Sequence, residues 1–89
     1  MIKKDITIIN KLGLHARAAA KLAGTCNRFA SSIKTGHDGK LVDAKSVMSL
    51  MLLAAGQGTN LHFEFNGKDE ADALQHVSAL IADRFGEDQ

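Results

Sequence analysis

The chain has no proline, no tryptophan and no tyrosine among its 89 residues, and only four phenylalanines and one cysteine. With no proline, no low-complexity tract and no long repeat, nothing marks a linker, so one domain over residues 1–89 is expected. A lone Cys26 cannot close an intramolecular disulfide and offers no cysteine cage for a metal, which suits a reducing, cytoplasmic setting. Eleven Lys and Arg against ten Asp and Glu leave a formal charge of +1. That balance lacks the basic excess of a nucleic-acid binder, so any anion site must be local. The longest low-charge apolar stretch, Val47 to Gly56, is about half a membrane span. The Lys3-Lys4-Asp5 opening carries no signal-peptide pattern. The length excludes a multidomain enzyme with its own cofactor domain.

Hydrophobic residues make up 45% of the chain, enough for a core. Residues 2 to 9 alternate as a strand, with Ile2, Ile6 and Ile8 on one face, and Asn10 to Gly13 reads as a turn. Ala16 to about Arg28 favours helix, with Ala19, Leu22, Ala23 and Cys26 as its apolar stripe and Arg17, Lys21 and Arg28 opposite. Two short strands flank Gly36-His37-Asp38-Gly39 as a hairpin. A short helix is expected from about Ser46 to Ala55, stopped by a left-handed Gly56. Leu61, Phe63 and Phe65 then alternate with His62 and Glu64 in a half-buried strand. Asp69 reads as the N-cap of a last helix whose stripe is Ala73, Leu74, Val77, Leu80, Ile81 and Phe85. The order is βαββαβα, an α+β arrangement with helices on one face of a mainly antiparallel sheet.

Leu12 to Arg17, LGLHAR, breaks a local rule. Helix N-termini favour acids because their unpaired N–H groups are partly positive, yet here His15 is at the cap and Arg17 in the first turn. Backbone N–H groups, a guanidinium fork and an imidazole together make a small phosphate or carboxylate site, and the ring is a possible nucleophile. The competing reading is an inert cap, because a single His-x-Arg has little specificity.

The segment KLGLHARAAAKLAG at Lys11 to Gly24, followed by AKSVMSLMLLAAGQGT at Ala44 to Thr59, resembles the histidine-containing phosphocarrier (HPr) family over essentially the whole chain. The resemblance implies an open-faced β-sandwich, a four-stranded antiparallel sheet covered on one face by three helices. It implies a role in the phosphoenolpyruvate-dependent phosphotransferase system, in sugar uptake or regulation, and no turnover of its own. His15 is then phosphorylated on Nδ1 by enzyme I and attacked by an acceptor on an enzyme II (IIA) domain, with Arg17 as the phosphate partner. A substantially neutral imidazole near pH 7 fits that role. No cofactor and no metal are implied, and any Mg²⁺ used in charging belongs to the partner enzyme. Ala18 stands where the family commonly has proline, and Gly24 and Asn27 where many members carry lysine. Lys21, Arg28 and Lys45 would supply the remaining positive rim.

Between Lys45 and Glu64 there is no formally charged side chain, so the second helix is apolar on nearly every side. Leu50, Leu53 and Ala54 form one stripe and Val47, Met48, Met51 and Leu52 another, and periodicity does not tell which is buried. The resemblance implies that the methionine stripe is exposed and binds partners, together with Ala16, Ala20 and Lys21. It also makes Ser46 a regulatory phosphoserine, a substrate for an HPr kinase/phosphorylase, although serine is equally a preferred N-cap. The carrier is expected to be a monomer that binds neither nucleic acid nor membrane. His37, His62 and His76 lack metal spacing and read as surface histidines, and Cys26 as a buried thiol. Two other classes compete: a small acyl-phosphate hydrolase, and a noncatalytic anion-sensing module. Within the family, a nitrogen-related regulatory carrier is the alternative to sugar transport.

Overall fold

A computed structural model describes residues 1–89. The elements are β1 (Ile2–Thr7), α1 (Ala16–Cys26), β2 (Ser32–His37), β3 (Lys40–Asp43), α2 (Val47–Leu52), β4 (Asn60–Asn66) and α3 (Glu70–Ala82), then one 3-10 turn at Arg84–Gly86. This is the expected βαββαβα order. The strands form one sheet in the order β1-β4-β2-β3, every neighbouring pair antiparallel. The fold is the open-faced α+β sandwich that the resemblance implied.

The alternation in β4 decides which face is covered. Leu61, Phe63 and Phe65 are wholly buried, with the two phenylalanine rings stacked at 5.8 Å. Burying each such side chain contributes about 1.5–3 kcal/mol. They meet Ala19, Leu22, Ala23 and Cys26 of α1 and Ala73, Val77 and Ile81 of α3 in one core. The opposite face carries Lys3, Asp5, Lys34, Asp43, His62 and Glu64, and no helix covers it.

Several local expectations need correction. β1 ends at Thr7, and Ile8 continues only as paired loop, bonded to Thr59 O at 2.9 Å and from Gly58 N at 2.7 Å. Because β1 is an edge strand, Ile2 and Ile6 are half-buried, and only Ile8 is fully inside. α2 stops at Leu52, and the left-handed residue after it is Ala54 (φ 51°), not Gly56. Ala54 is exposed, so Leu50 and Leu53 alone form the buried stripe. Phe85 lies beyond α3, in the 3-10 turn at φ 55°, although it is wholly buried. Asp69 occupies the N-cap position, but its carboxylate makes no cap bond and instead binds Ala30 and Ser31. The hairpin is present, but its turn is tighter than the expected Gly36–Gly39 tetrapeptide: Gly36 and His37 pair within β2, and only Asp38 (φ 55°) and Gly39 (φ 79°) turn, both left-handed as such a turn needs.

Candidate functional site

His15 is the N-cap of α1, extended at φ −74° and ψ 177°, with no side-chain cap bond. Its carbonyl accepts the first helical hydrogen bond, from Ala19 N at 2.8 Å. No acid of α1 itself occupies the first turn. The imidazole is only half-buried, and the Arg17 guanidinium is exposed and in no ion pair. The structure therefore places His15 at the N-cap and Arg17 in the first turn of α1.

The loop before α1 is held from two sides. Gly13 adopts φ +68°, and a Cβ there would lie 2.6 Å from Ala55 O and 2.7 Å from Gly56 Cα, so only glycine allows this approach. Leu14 N then donates to Ala55 O at 2.8 Å. The wholly buried Asn10 donates through Nδ2 to Gly13 O at 2.8 Å and to Glu87 Oε1 at 2.9 Å. The other oxygen of Glu87 meets His15 Nε2. These hydrogen bonds, the one from His15 first, hold the Glu87 carboxyl below the usual carboxylate range.

Sequence reasoning missed Glu87 altogether. Its one signal is Phe85-Gly86, an aromatic anchor whose burial docks the tail; the contact with His15 spans 72 positions and leaves no local pattern. Lys21 Nζ donates to Phe85 O at 2.7 Å, so this rim cation also straps the tail. Lys45 Nζ donates to Phe29 O at 2.8 Å, and Arg28 lies over the Phe29 ring at 5.9 Å. Of Arg17, Lys21, Arg28 and Lys45, only Arg17 has no such contact.

On α2 the methionine stripe faces outward. Met48 is 77% exposed and Leu52 71%, with Met51 and Val47 partly so, while Leu50 is buried. Ala16 and Ala20 are exposed on α1. Leu12, also missed, is 68% exposed and lines the same surface cleft as Glu87. Ser46 caps α2, its Oγ accepting from Ser49 N at 3.2 Å.

The other histidines have structural partners. His37 Nε2 meets Leu53 O at 2.8 Å and Nδ1 meets Asp38 at 2.9 Å, joining the hairpin to the end of α2. His62 lies between Asp5 and Glu64 on the open sheet face. His76 packs its ring 5.2 Å from that of Phe29. Burial pushes the Cys26 thiol up to about 12, so it is no nucleophile near neutral pH.

Comparison with known proteins gives the family and the fold. Residues 2–83 match the PTS-HPr family model, described as the PTS HPr component phosphorylation site. The chain is 53% identical over 87 residues to phosphocarrier protein HPr of Cupriavidus necator, covering 98% of each. It superposes on HPr-C-His from Thermoanaerobacter tengcongensis with a TM-score of 0.96 at 40% identity, covering all of both chains. An HPr dimer from the same organism matches at a TM-score of 0.79 and 41% identity, over 98% of this chain and all of that one. With a family model spanning nearly the whole chain and His15 and Arg17 at the open head of α1, the chain belongs to the HPr family of the phosphotransferase system.

Proposed function

We propose that this phosphocarrier of the phosphotransferase system accepts a phosphoryl group on His15 Nδ1 from phospho-enzyme I and passes it to an enzyme II (IIA) domain. The observation that carries the reading is the position of His15: of four histidines, it alone heads a helix with an unpaired arginine two residues on. In charging, the Nδ1 lone pair forms the N–P bond while the bond from phosphorus to the donor breaks and its electron pair stays with enzyme I. Discharge reverses those movements toward the acceptor. Arg17 and the backbone N–H groups at the head of α1 hold the phosphoryl oxygens, so the protein contributes positioning and charge.

Docking belongs to the exposed α2 stripe, Val47, Met48, Met51 and Leu52, with Ala16, Ala20 and Lys21 on α1. Flexible methionines suit a surface that meets several partners in turn. The setting is the cytoplasm, where Cys26 stays reduced; no helix is long and apolar enough to cross a membrane. The carrier is taken to act as a monomer, with His15 and α2 free, and light scattering at working concentration checks this against the Thermoanaerobacter dimer.

The deciding experiment is intact mass after incubation with phosphoenolpyruvate and enzyme I, followed by acid. One acid-labile phosphoryl group on His15 is expected. A label on His37, His62 or His76 would overturn the assignment, cleavage of an acyl phosphate by the chain alone would indicate a hydrolase, and binding without a covalent bond would indicate an anion sensor.

A further inference from the structure

A neutral imidazole carries one N–H, and the partner of one nitrogen decides which atom holds it. At this site a carboxylate oxygen of Glu87 meets Nε2, and no protein group bonds Nδ1. An ionised carboxylate only accepts hydrogen bonds, so the proton lies on Nε2 and the lone pair on Nδ1.

Glu87 is itself fixed in place. Its second oxygen accepts from Asn10 Nδ2 at 2.9 Å, and the same amide donates to Gly13 O at 2.8 Å, so one wholly buried side chain anchors both the His15 loop and the carboxylate. The tail that carries Glu87 is pinned by the buried Phe85, by Lys21 Nζ on Phe85 O at 2.7 Å and by Lys11 N on Gln89 O at 3.0 Å. Such tethering preorganises a contact that a freely rotating surface glutamate would make only part of the time.

We propose that Glu87 is a positioning residue for phosphoryl transfer, holding the His15 proton on Nε2 so that Nδ1 remains the free nucleophile in both directions. The proposal rests on His15 being the acceptor. In charging, Nδ1 gives its pair to phosphorus, the donor–phosphorus bond breaks toward the donor, and the ring becomes a phosphoimidazolium that keeps its Nε2–H. The positive charge that develops faces the Glu87 carboxylate. In discharge the N–P pair returns to Nδ1, and the ring leaves as the same neutral Nε2–H tautomer. No proton has to be exchanged with solvent in either step. The role parallels that of the aspartate in a Ser-His-Asp triad, which orients the imidazole and fixes its tautomer without itself taking the proton.

The test combines ¹⁵N spectroscopy of the His15 ring in the unphosphorylated full chain, at a pH where the ring is neutral, with phosphoryl-transfer rates. The wild type is expected to show a pyrrole-type Nε2 and a pyridine-type Nδ1. Glu87→Gln keeps the shape and gives Nε2 an amide donor, so the proton should shift toward Nδ1. Charging and discharge should then each slow by roughly tenfold, with apparent affinity for enzyme I unchanged. Asp88→Asn, which removes a neighbouring exposed charge, should match the wild type in every readout. An Nδ1–H ring in the wild type, or Glu87→Gln with wild-type tautomer and rates, would overturn the proposal. If His15 is never phosphorylated, the acceptor reading falls by itself, while the tautomer populations still report whether Glu87 sets the proton.

Discussion

The carboxylate of Asp69 accepts hydrogen bonds from both the backbone N–H and the hydroxyl of Ser31, 38 positions earlier, and a third from the Ala30 N–H. Ser31 is almost fully buried, so the aspartate satisfies donors that water does not reach. Asp69→Ala should lower Tm by roughly 5 °C or more at neutral pH, because buried donors lose their partner. The hydrogen bonds, those from Ser31 first, hold the Asp69 carboxyl below the usual range. A depressed acid stabilises the fold above its unfolded pKa, and that contribution is lost as pH falls through the folded value. The Tm difference between wild type and Asp69→Ala should therefore shrink as pH is lowered from about 5 toward about 2. Equal differences at pH 7 and at the acid end would show that the Asp69 charge contributes nothing.

Met48→Asp tests the docking surface. The side chain is 77% exposed, so the fold should tolerate the change with a Tm within about a degree of wild type. An uncompensated charge in a shared apolar contact should weaken binding to both enzyme I and an enzyme II domain by about tenfold, measured by titration calorimetry. Unchanged affinity for both would move the interface away from α2.

The sequence showed most of the fold because its elements obey local periodicities: period two in β4, a 3.6-residue stripe in α1 that the core uses as written, and one in α3 of which Ala73, Val77 and Ile81 are buried, Leu74 and Leu80 half-buried, and Phe85 enters from the 3-10 turn beyond the helix. The left-handed residue after α2 was misplaced because Gly56 is the better conformational candidate, yet the chain turns at Ala54 two residues sooner. Periodicity left the buried face of α2 undecided, since both of its stripes are apolar; the choice depends on packing. His15 and Arg17 stand out in the sequence because they violate the rule for helix N-termini, but that departure alone leaves an inert cap open, and only the family resemblance gives the pair a role. Glu87 could not, because an acidic residue in a polar tail looks solvated until Phe85 docks and brings it to the ring.

His62 gives a pH dependence of opposite sign. Asp5 on β1 and Glu64 on its own strand meet its two ring nitrogens at 2.9 and 3.0 Å, and these bonds, Asp5 first, raise its pKa. A raised histidine stabilises the fold below its unfolded value of about 6.5, and that contribution is lost as pH rises through the folded value. His37 titrates in the same sense, through its bonds to the Leu53 carbonyl and then to Asp38. His62→Asn should therefore cost more stability at pH 6 than at pH 9, and NMR titration should place both histidine midpoints above about 6.5. Identical wild-type and variant stability profiles across that window would mean that the Asp5–His62–Glu64 contact does not hold the edge strand β1.

Ser46 caps α2 by accepting from Ser49 N at 3.2 Å, and we propose that the same hydroxyl is also a regulatory phosphorylation site. The two roles separate by charge. At a helix N-terminus a phosphate or an aspartate keeps an acceptor for the cap and meets favourable potential, so the fold should be unchanged or slightly stabilised. Any effect must then fall on partners. α2 spans only Val47 to Leu52, a rise of about 9 Å, and Ala55 just beyond it accepts from the backbone next to His15. A new negative charge at Ser46 thus lies on the order of one Debye length from the phosphoryl site, and two residues from the exposed Met48. It would oppose an incoming phosphoryl group and any acidic surface that carries it. Ser46→Asp should slow charging of His15 by about two- to tenfold at low salt, less at high salt, with Tm equal to or above wild type. Ser46→Ala should do the reverse, lowering stability by about 0.5–2 kcal/mol through the lost cap while leaving charging near the wild-type rate. If Ser46→Ala and Ser46→Asp slow charging equally and both melt early, the serine serves the helix alone.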